Sequence, residues 1–194
     1  MKIKIRNVGF SVGIPFLAAA AFFLAGDMRE NYILALIFSA LHETGHILAL
    51  LFFGRKPTEI TLGIMGIRIE MNNTMLSYRE ECIVALAGPF VNLVFAVIFA
   101  FTDISGVPFV VNTGLFIVNI LPVKTLDGGR FINNLILSHS DEDKAVKMMN
   151  RLEIATAVML VIVLIVSLVT GCENTSFVFF AVTLVIIIVL QFLF

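Results

Sequence analysis

The chain has 194 residues, of which 59% are hydrophobic and only 14% are charged, and its mean hydropathy of +1.03 lies far outside the range of a water-soluble globular domain. A formal net charge of −1 argues against binding of nucleic acid through overall charge. The composition therefore predicts a polytopic membrane protein, in which the placement of the charges matters more than their sum.

The first predicted membrane-spanning helix covers residues 8–25 and follows a basic segment that contains Lys2, Lys4 and Arg6. A basic segment before an apolar run is also typical of a secretory signal peptide. This run is long, however, and Ala25-Gly26-Asp27 is a weak cleavage site. We therefore interpret residues 8–25 as a retained span.

The second predicted span, residues 32–54, carries the pentapeptide His42-Glu43-Thr44-Gly45-His46 in an otherwise almost wholly apolar sequence. On an α-helix, residues four apart lie about 40° apart around the axis and roughly 6 Å apart along it, so both imidazoles can bind one metal ion. The pattern H-E-x-x-H is typical of zinc proteases, in which the glutamate is a general base and not a ligand. Two surface histidines beside an unrelated glutamate are the weaker interpretation, because the surroundings are apolar.

Residues 57–71 have a different pattern, in which β-branched residues alternate loosely and Pro57 and Gly63 interrupt the run. This pattern predicts a short membrane-associated β-hairpin, and an amphipathic connector on the membrane surface is the alternative. A strand edge there could hold a substrate in extended form by β-augmentation, with Ile64, Gly66 and Ile67 at the edge.

The third predicted span, residues 82–101, contains Gly88, Pro89 and Asn92. Small residues let membrane helices approach closely, and an intramembrane asparagine normally finds a partner on a neighbouring helix. Helix packing and support of a metal site are both consistent with these residues.

The fourth predicted span, residues 108–138, is broken. Its apolar part is too short to cross a bilayer alone, and Pro122, Gly128 and Gly129 interrupt the helix next to Asp127. Irregular backbone at membrane depth is tolerated where it is buried in protein or lines a wet cavity, so a carboxylate beside the break is a candidate functional residue. Residues 154–170 and 177–194 are the fifth and sixth predicted spans. The expected fold is thus an all-α membrane domain of six helices over residues 1–194.

The positively charged residues predict the orientation. Lys124 and Arg130 flank the break and are not counted. With six spans, only Arg29 of the others lies on one side of the membrane, and ten residues lie on the other: Lys2, Lys4, Arg6, Arg55, Lys56, Arg68, Arg79, Lys144, Lys147 and Arg151. Cytosolic loops are rich in lysine and arginine, so both termini are expected in the cytosol of a bacterial cell. At 1.5 Å per residue, His46, Asp127 and His42 then lie roughly 12, 16 and 18 Å below the cytosolic face. This agreement in depth makes Asp127 the candidate third ligand.

The motif His42-Glu43-Thr44-Gly45-His46, combined with Asn119-Ile120-Leu121-Pro122 and Leu126-Asp127-Gly128, resembles the site-2 protease family of intramembrane zinc metalloproteases (peptidase family M50). Ala87-Gly88-Pro89 with Asn92 is similar to a further pattern of that family. The early position of the metal motif most resembles the sporulation-type bacterial members that process a pro-sigma factor. The 194 residues end within the sixth predicted span and do not include the cytosolic CBS domain of those members.

The resemblance implies a zinc metalloendopeptidase that acts on a membrane-associated protein substrate. It implies that His42, His46 and Asp127 hold Zn²⁺, that Glu43 is the general base and that Asn119 stabilises the oxyanion. Supporting positions are Gly88, Pro89, Asn92, Pro122 and Gly128. The alternative is a metal-binding membrane protein without hydrolysis, such as a metal transporter or a pseudo-protease partner. Neither of these requires a non-ligating glutamate beside the metal, and ion pathways usually spread ionisable groups over several spans.

Cysteine labelling tests the predicted topology. A membrane-impermeant thiol reagent applied from outside should label Cys172, between the fifth and sixth predicted spans, because that loop is expected to face outward. It should not label Cys82, at the predicted cytosolic end of the third span. The opposite labelling pattern would invert the topology.

Overall fold

The structure is a computed structural model of the whole chain, which forms two compact units, residues 1–119 and residues 120–194. It describes residues 2–5, 8–12, 29–55, 57–63, 66–71, 76–104 and 106–170, together with the helical positions 182, 185, 186, 188 and 189. Each unit is described below by itself.

The first unit contains a four-stranded sheet of β1 (Lys2–Ile5), β2 (Val8–Val12), β3 (Pro57–Gly63) and β4 (Gly66–Met71), in the order β1-β2-β3-β4. β1 and β2 pair antiparallel, β2 and β3 pair parallel, and β3 and β4 pair antiparallel with Gly63 opposite Gly66. The segment expected as a hairpin, residues 57–71, is the β3–β4 pair. It is not isolated, because β2 lies beside β3.

The first predicted span is wrong at its start, because Val8–Val12 is strand β2 and not helix. The physical reason is a period of two: Lys2-Ile3-Lys4-Ile5 alternates charged and apolar residues, and Val8-Gly9-Phe10-Ser11-Val12 alternates large and small ones. Alternation of this kind favours a strand, which finds its partner in β3. The rest of the predicted span, residues 13–25, lies outside the described residues.

Three helices complete the described part of the first unit: α1 (Arg29–Phe52), α2 (Tyr78–Thr102) and α3 (Val107–Asn119). The predicted spans 32–54 and 82–101 correspond to α1 and α2. The N-terminus of α2 is a capping box, in which the Ser77 hydroxyl accepts from the Glu80 backbone N–H and the Glu80 carboxylate accepts from the Ser77 backbone N–H. This reciprocal pair satisfies two backbone donors at the helix start and explains why α2 begins there.

The second unit contains α4 (Asp127–Leu137) and α5 (Glu142–Val169), after an irregular segment of residues 120–126. The break predicted in the fourth span is therefore present, between the end of α3 and the start of α4. Gly128 and Gly129 make the break compact: a Cβ at Gly128 would lie under 3.0 Å from the Ile120 carbonyl, and one at Gly129 would clash with the Val123 carbonyl. Only residues without a side chain let the irregular segment fold against the first turn of α4.

A buried carboxylate on α5 anchors the irregular segment. Glu153 is completely buried, and its Oε1 accepts a hydrogen bond from the Lys124 backbone N–H at 2.7 Å. Its Oε2 lies 3.2 Å from the Lys124 Nζ, which also donates to Asn150 Oδ1 at 2.6 Å. The carboxylate thus accepts from a backbone donor that the broken helix leaves without a helical partner, and it also pairs with the Lys124 ammonium group.

Three helices in the described part of the chain are long and apolar enough to cross a membrane: Ile33–Phe52, Tyr78–Thr102 and Glu142–Ser167. Val107–Asn119 is apolar but shorter. Large apolar side chains such as Phe90, Val97 and Ile162 are about half exposed, as expected for helices that face lipid. The protein is therefore a membrane protein. The predicted count of six spans is not shown, since residues 8–12 form a strand and most of residues 177–194 lie outside the described part.

The Glu153 anchor predicts a difference between two substitutions. Glu153→Leu removes the acceptor of the Lys124 backbone N–H and should lower the free energy of unfolding by about 1–3 kcal/mol, the cost of leaving a partly buried donor unpaired. Glu153→Gln keeps a side-chain oxygen for that N–H and should lower it less. Thermal unfolding of the detergent-solubilised variants measures both. Equal stability of the two variants would show that the hydrogen bond contributes little.

Candidate metal centre

The two motif histidines lie on the same side of α1, one turn apart. His42 and His46 are buried, with 4% and 5% of their surfaces exposed, and their Nε2 atoms are 3.1 Å apart. Helical periodicity alone accounts for this convergence, since residues four apart share a face.

The other nitrogen of each ring is held by an oxygen from α2. His46 Nδ1 donates to the Val84 backbone carbonyl at 2.7 Å, and His42 Nδ1 pairs with the Asn92 side-chain oxygen Oδ1 at 2.5 Å. A carbonyl oxygen can only accept, so the proton of each neutral ring is on Nδ1. Each Nε2 therefore carries a lone pair.

Two lone pairs that face each other at 3.1 Å repel unless a proton or a metal ion lies between them. Zn²⁺ binds histidine nitrogen at about 2.0–2.1 Å, and two such nitrogens at a tetrahedral angle are about 3.3 Å apart. The observed separation is close to that value, and hydrogen bonding of Nδ1 is the usual arrangement in metal-binding histidines. The two residues fit as neighbouring ligands of one zinc ion.

Gly88 on α2 faces the same two nitrogen atoms. A Cβ at this position would lie under 3.0 Å from Nε2 of both His42 and His46. Gly88 and Pro89 are both buried. The absence of a side chain at Gly88 therefore keeps the space next to both Nε2 atoms open.

Gly45, inside the motif, allows α1 to approach α2. A Cβ there would lie 2.6 Å from the Ala87 carbonyl oxygen and 2.8 Å from Val91 Cγ2. This close approach brings the Val84 and Asn92 oxygens within hydrogen-bonding distance of the imidazoles, as small residues do between membrane helices.

The Asn92 amide continues into a chain of hydrogen bonds. Its Nδ2 donates to Asn112 Oδ1 at 3.1 Å, and Asn112 Nδ2 donates to the Pro108 backbone carbonyl at 2.8 Å. Asn92 and Asn112 are both completely buried. The predicted partner of the intramembrane Asn92 is thus an imidazole on one side and a second amide on the other.

In the second unit, Asp127 is the first residue of α4 and is largely buried, with 9% of its surface exposed. The Arg130 guanidinium lies 3.8 Å from its carboxylate, and the N-terminus of a helix favours a negative charge. Both contacts favour a negative charge at this position, and a carboxylate binds a metal in its charged form. A carboxylate oxygen of this kind is a typical ligand of a divalent metal ion, as a histidine nitrogen is.

The remaining predicted site residues are distributed as follows. Glu43 is half-buried on α1, and Asn119 is the last residue of α3, with its Nδ2 donating to the Leu115 carbonyl at 2.9 Å. Pro122 lies in the irregular segment before α4. Of the three residues predicted to bind substrate, Gly66 and Ile67 belong to β4, and Ile64 lies outside the described residues.

Three residues that support the site were not predicted from the sequence. Val84 acts through its backbone carbonyl, which no side-chain pattern reveals. Gly45 occupies one of the variable positions of the motif, and nothing in the sequence indicates that α1 contacts α2 at this residue. Asn112 did have a signal, an amide in an otherwise apolar segment, which predicts an interhelical partner without saying which one.

The position of Gly88 predicts that metal binding can be lost without removal of any ligand. Gly88→Ala should sharply reduce the zinc content of the purified protein, because the added methyl group would overlap both Nε2 atoms. Gly114→Ala is the matched control, since a Cβ there meets nothing within 4 Å. Metal analysis of both variants checks this. Full zinc content in Gly88→Ala would contradict the proposed geometry.

No protein-family model matches the sequence, and no curated protein matches it either. Among solved structures, the chain is similar to the site-2 protease from Methanocaldococcus jannaschii, with 19% sequence identity and a TM-score of 0.64. The similarity covers 96% of this chain and 92% of that one. The chain therefore has the fold of a site-2 protease.

Proposed function

We propose that the protein is an intramembrane zinc metalloprotease of the site-2 type. It hydrolyses a peptide bond in or near a membrane segment of a membrane-associated protein. The observation that carries the proposal is the pair of Nε2 lone pairs on His42 and His46, which converge beside a glutamate in the order H-E-x-x-H. The site-2 protease fold supports the same activity.

The proposed ligands of Zn²⁺ are His42, His46 and Asp127, two neutral nitrogens and one carboxylate oxygen. Three protein ligands with an open fourth position are typical of catalytic zinc sites. When bound there, the ion would polarise the scissile carbonyl and lower the pKa of water towards about 7.

Glu43 is the proposed general base, because it follows a ligand directly and its motif position is not that of a ligand. Its carboxylate takes a proton from the attacking water and passes it to the leaving amine. Asn119 is the proposed oxyanion donor. One of its two N–H groups donates to the Leu115 carbonyl, and the other can donate to the substrate oxygen. Removal of such a donor in other enzymes costs about 3–4 kcal/mol of transition-state stabilisation.

The proposed substrate enters in extended form, because the backbone of a helix is shielded by its own hydrogen bonds. β4 is an edge strand of the described sheet and can pair with an added strand through its backbone groups. Gly66 and Ile67 are the proposed contact residues on it. By motif order we place the protein with the sporulation-type bacterial members, in the cell membrane with both termini in the cytosol.

Four substitutions separate ligand from base. His42→Ala, His46→Ala and Asp127→Ala should each lower the zinc content of the purified protein, because each removes one ligand atom. Glu43→Gln should keep zinc and lose turnover, because the amide cannot accept a proton. Zinc analysis, together with cleavage of candidate membrane substrates, measures both properties.

Two results would contradict these roles. Full zinc content in Asp127→Ala would remove that residue from the ligand set. Unchanged biological function in Glu43→Gln, with no cleavage product lost from a membrane proteome, would favour a metal-binding protein without hydrolysis.

Strand β4 generates a prediction about substrate recognition. If Ile67 donates its backbone N–H to the substrate, Ile67→Pro should sharply reduce cleavage without loss of zinc, because proline has no N–H and a fixed φ. Ile67→Ala keeps the N–H and should have a mild effect. Arg68→Pro is the control, since adjacent N–H groups on a strand point in opposite directions. Equal losses from both prolines would indicate that the strand is only structural.

A further inference from the structure

The hydrogen-bond chain that starts at His42 crosses from α1 to α2 and then to α3. It runs from His42 Nδ1 through the Asn92 and Asn112 amides to the Pro108 carbonyl, and both amides are completely buried. Buried amides in apolar surroundings are costly unless they are hydrogen-bonded. Two of them nevertheless lie in series with His42, a proposed metal ligand, and this arrangement needs a physical reason.

The Pro108 carbonyl, at the end of this series of hydrogen bonds, determines the direction of each bond in the series. The Pro108 carbonyl can only accept, so the Asn112 atom that faces it must be the NH₂ group. The Asn112 oxygen then faces Asn92 and must accept, which turns the Asn92 NH₂ group towards Asn112. The Asn92 oxygen is left to face His42, and it can accept only from an Nδ1 that carries the proton.

We propose that Asn112 is a positioning residue of the metal site. It holds the Asn92 amide in one of its two orientations, and this orientation keeps His42 in the tautomer whose Nε2 can bind a metal ion. The inference rests on the proposed metal site but not on proteolysis. Asn112 contacts neither of the two imidazoles in this chain of bonds and acts through Asn92.

Without the Asn112 oxygen, the two orientations of Asn92 become closer in energy. In the flipped orientation the Asn92 NH₂ group faces His42 and donates to an Nδ1 lone pair. The imidazole proton then lies on Nε2, which can no longer bind a metal. The alternative is that Asn112 only packs α3 against α2, in which case its loss would not affect the His42 tautomer.

A double-mutant cycle on the full-length, detergent-solubilised protein separates these two roles, with zinc affinity measured by competition against a chelator. Asn112→Leu should lower zinc affinity about tenfold, at the lower end of the range for residues that hold a metal ligand in place. In an Asn92→Asp background the same change should not lower zinc affinity, because a carboxylate cannot present a donor to His42 and has no N–H to give to the Asn112 oxygen.

Thr113→Val is the matched control on α3. The Thr113 hydroxyl is buried without a hydrogen-bond partner among the described residues, so its removal should leave zinc affinity unchanged. An equal loss from Asn112→Leu in both backgrounds would overturn the proposal and leave Asn112 a packing residue. Wild-type protein that binds no zinc would instead contradict the proposed metal site.

The ¹⁵N chemical shifts of the His42 ring in zinc-free, full-length protein give a second, direct reading. Wild type should show the proton on Nδ1, and Asn112→Leu should show a mixture with the Nε2–H tautomer. Asn112→Ala, which removes the amide without adding an apolar branch, replaces the leucine variant if the latter does not fold. An unchanged Nδ1–H tautomer in the folded variant would overturn the proposal even if zinc affinity fell.

Discussion

The first unit depends on one unfavourable contact, two imidazole Nε2 atoms 3.1 Å apart with a lone pair on each. The surrounding helices are arranged to keep this contact. α2 supplies an oxygen to each Nδ1, and Gly45 and Gly88 let α2 come close enough to do so without filling the space beside the nitrogens. Both rings are buried, so bulk water does not screen this repulsion. A cation relieves it, so preorganisation of the site and affinity for metal have the same origin.

The second unit presents a carboxylate by a different route. Its position depends on a helix that begins at Asp127, and that start depends on two glycines and on the anchoring of the preceding segment to α5. A histidine pair on a continuous helix is positioned by periodicity, whereas an aspartate at a helix start is positioned by the way the chain breaks. The rigidity of the break therefore matters as much as that of the helices.

The convergence of the two histidines on one face of α1 and the position of Asp127 beside a chain break could be predicted from the sequence, because helical periodicity and chain breakers are local properties. The broken fourth span could be predicted for the same reason. Strand β2 could not, because an apolar run of residues 8–25 outweighed the short alternation at its start, and the partner that stabilises the strand lies about fifty residues later. Pairing with a strand that is distant in sequence determines the secondary structure of residues 8–12. The role of the Val84 carbonyl could not be predicted either, since every residue has a backbone carbonyl.

The parallel pairing of β2 with β3 changes which edges of the β3–β4 hairpin can pair with another polypeptide. A two-stranded hairpin has two outer edges and is at best marginally stable in water. Here β2 covers the outer side of β3, and the N-terminal strands extend the sheet on that side only. In the described sheet the hairpin therefore keeps a single edge, on β4, with one strand direction. An added strand can then pair with the hairpin only along β4, so the N-terminal strands limit where on the hairpin a polypeptide can bind.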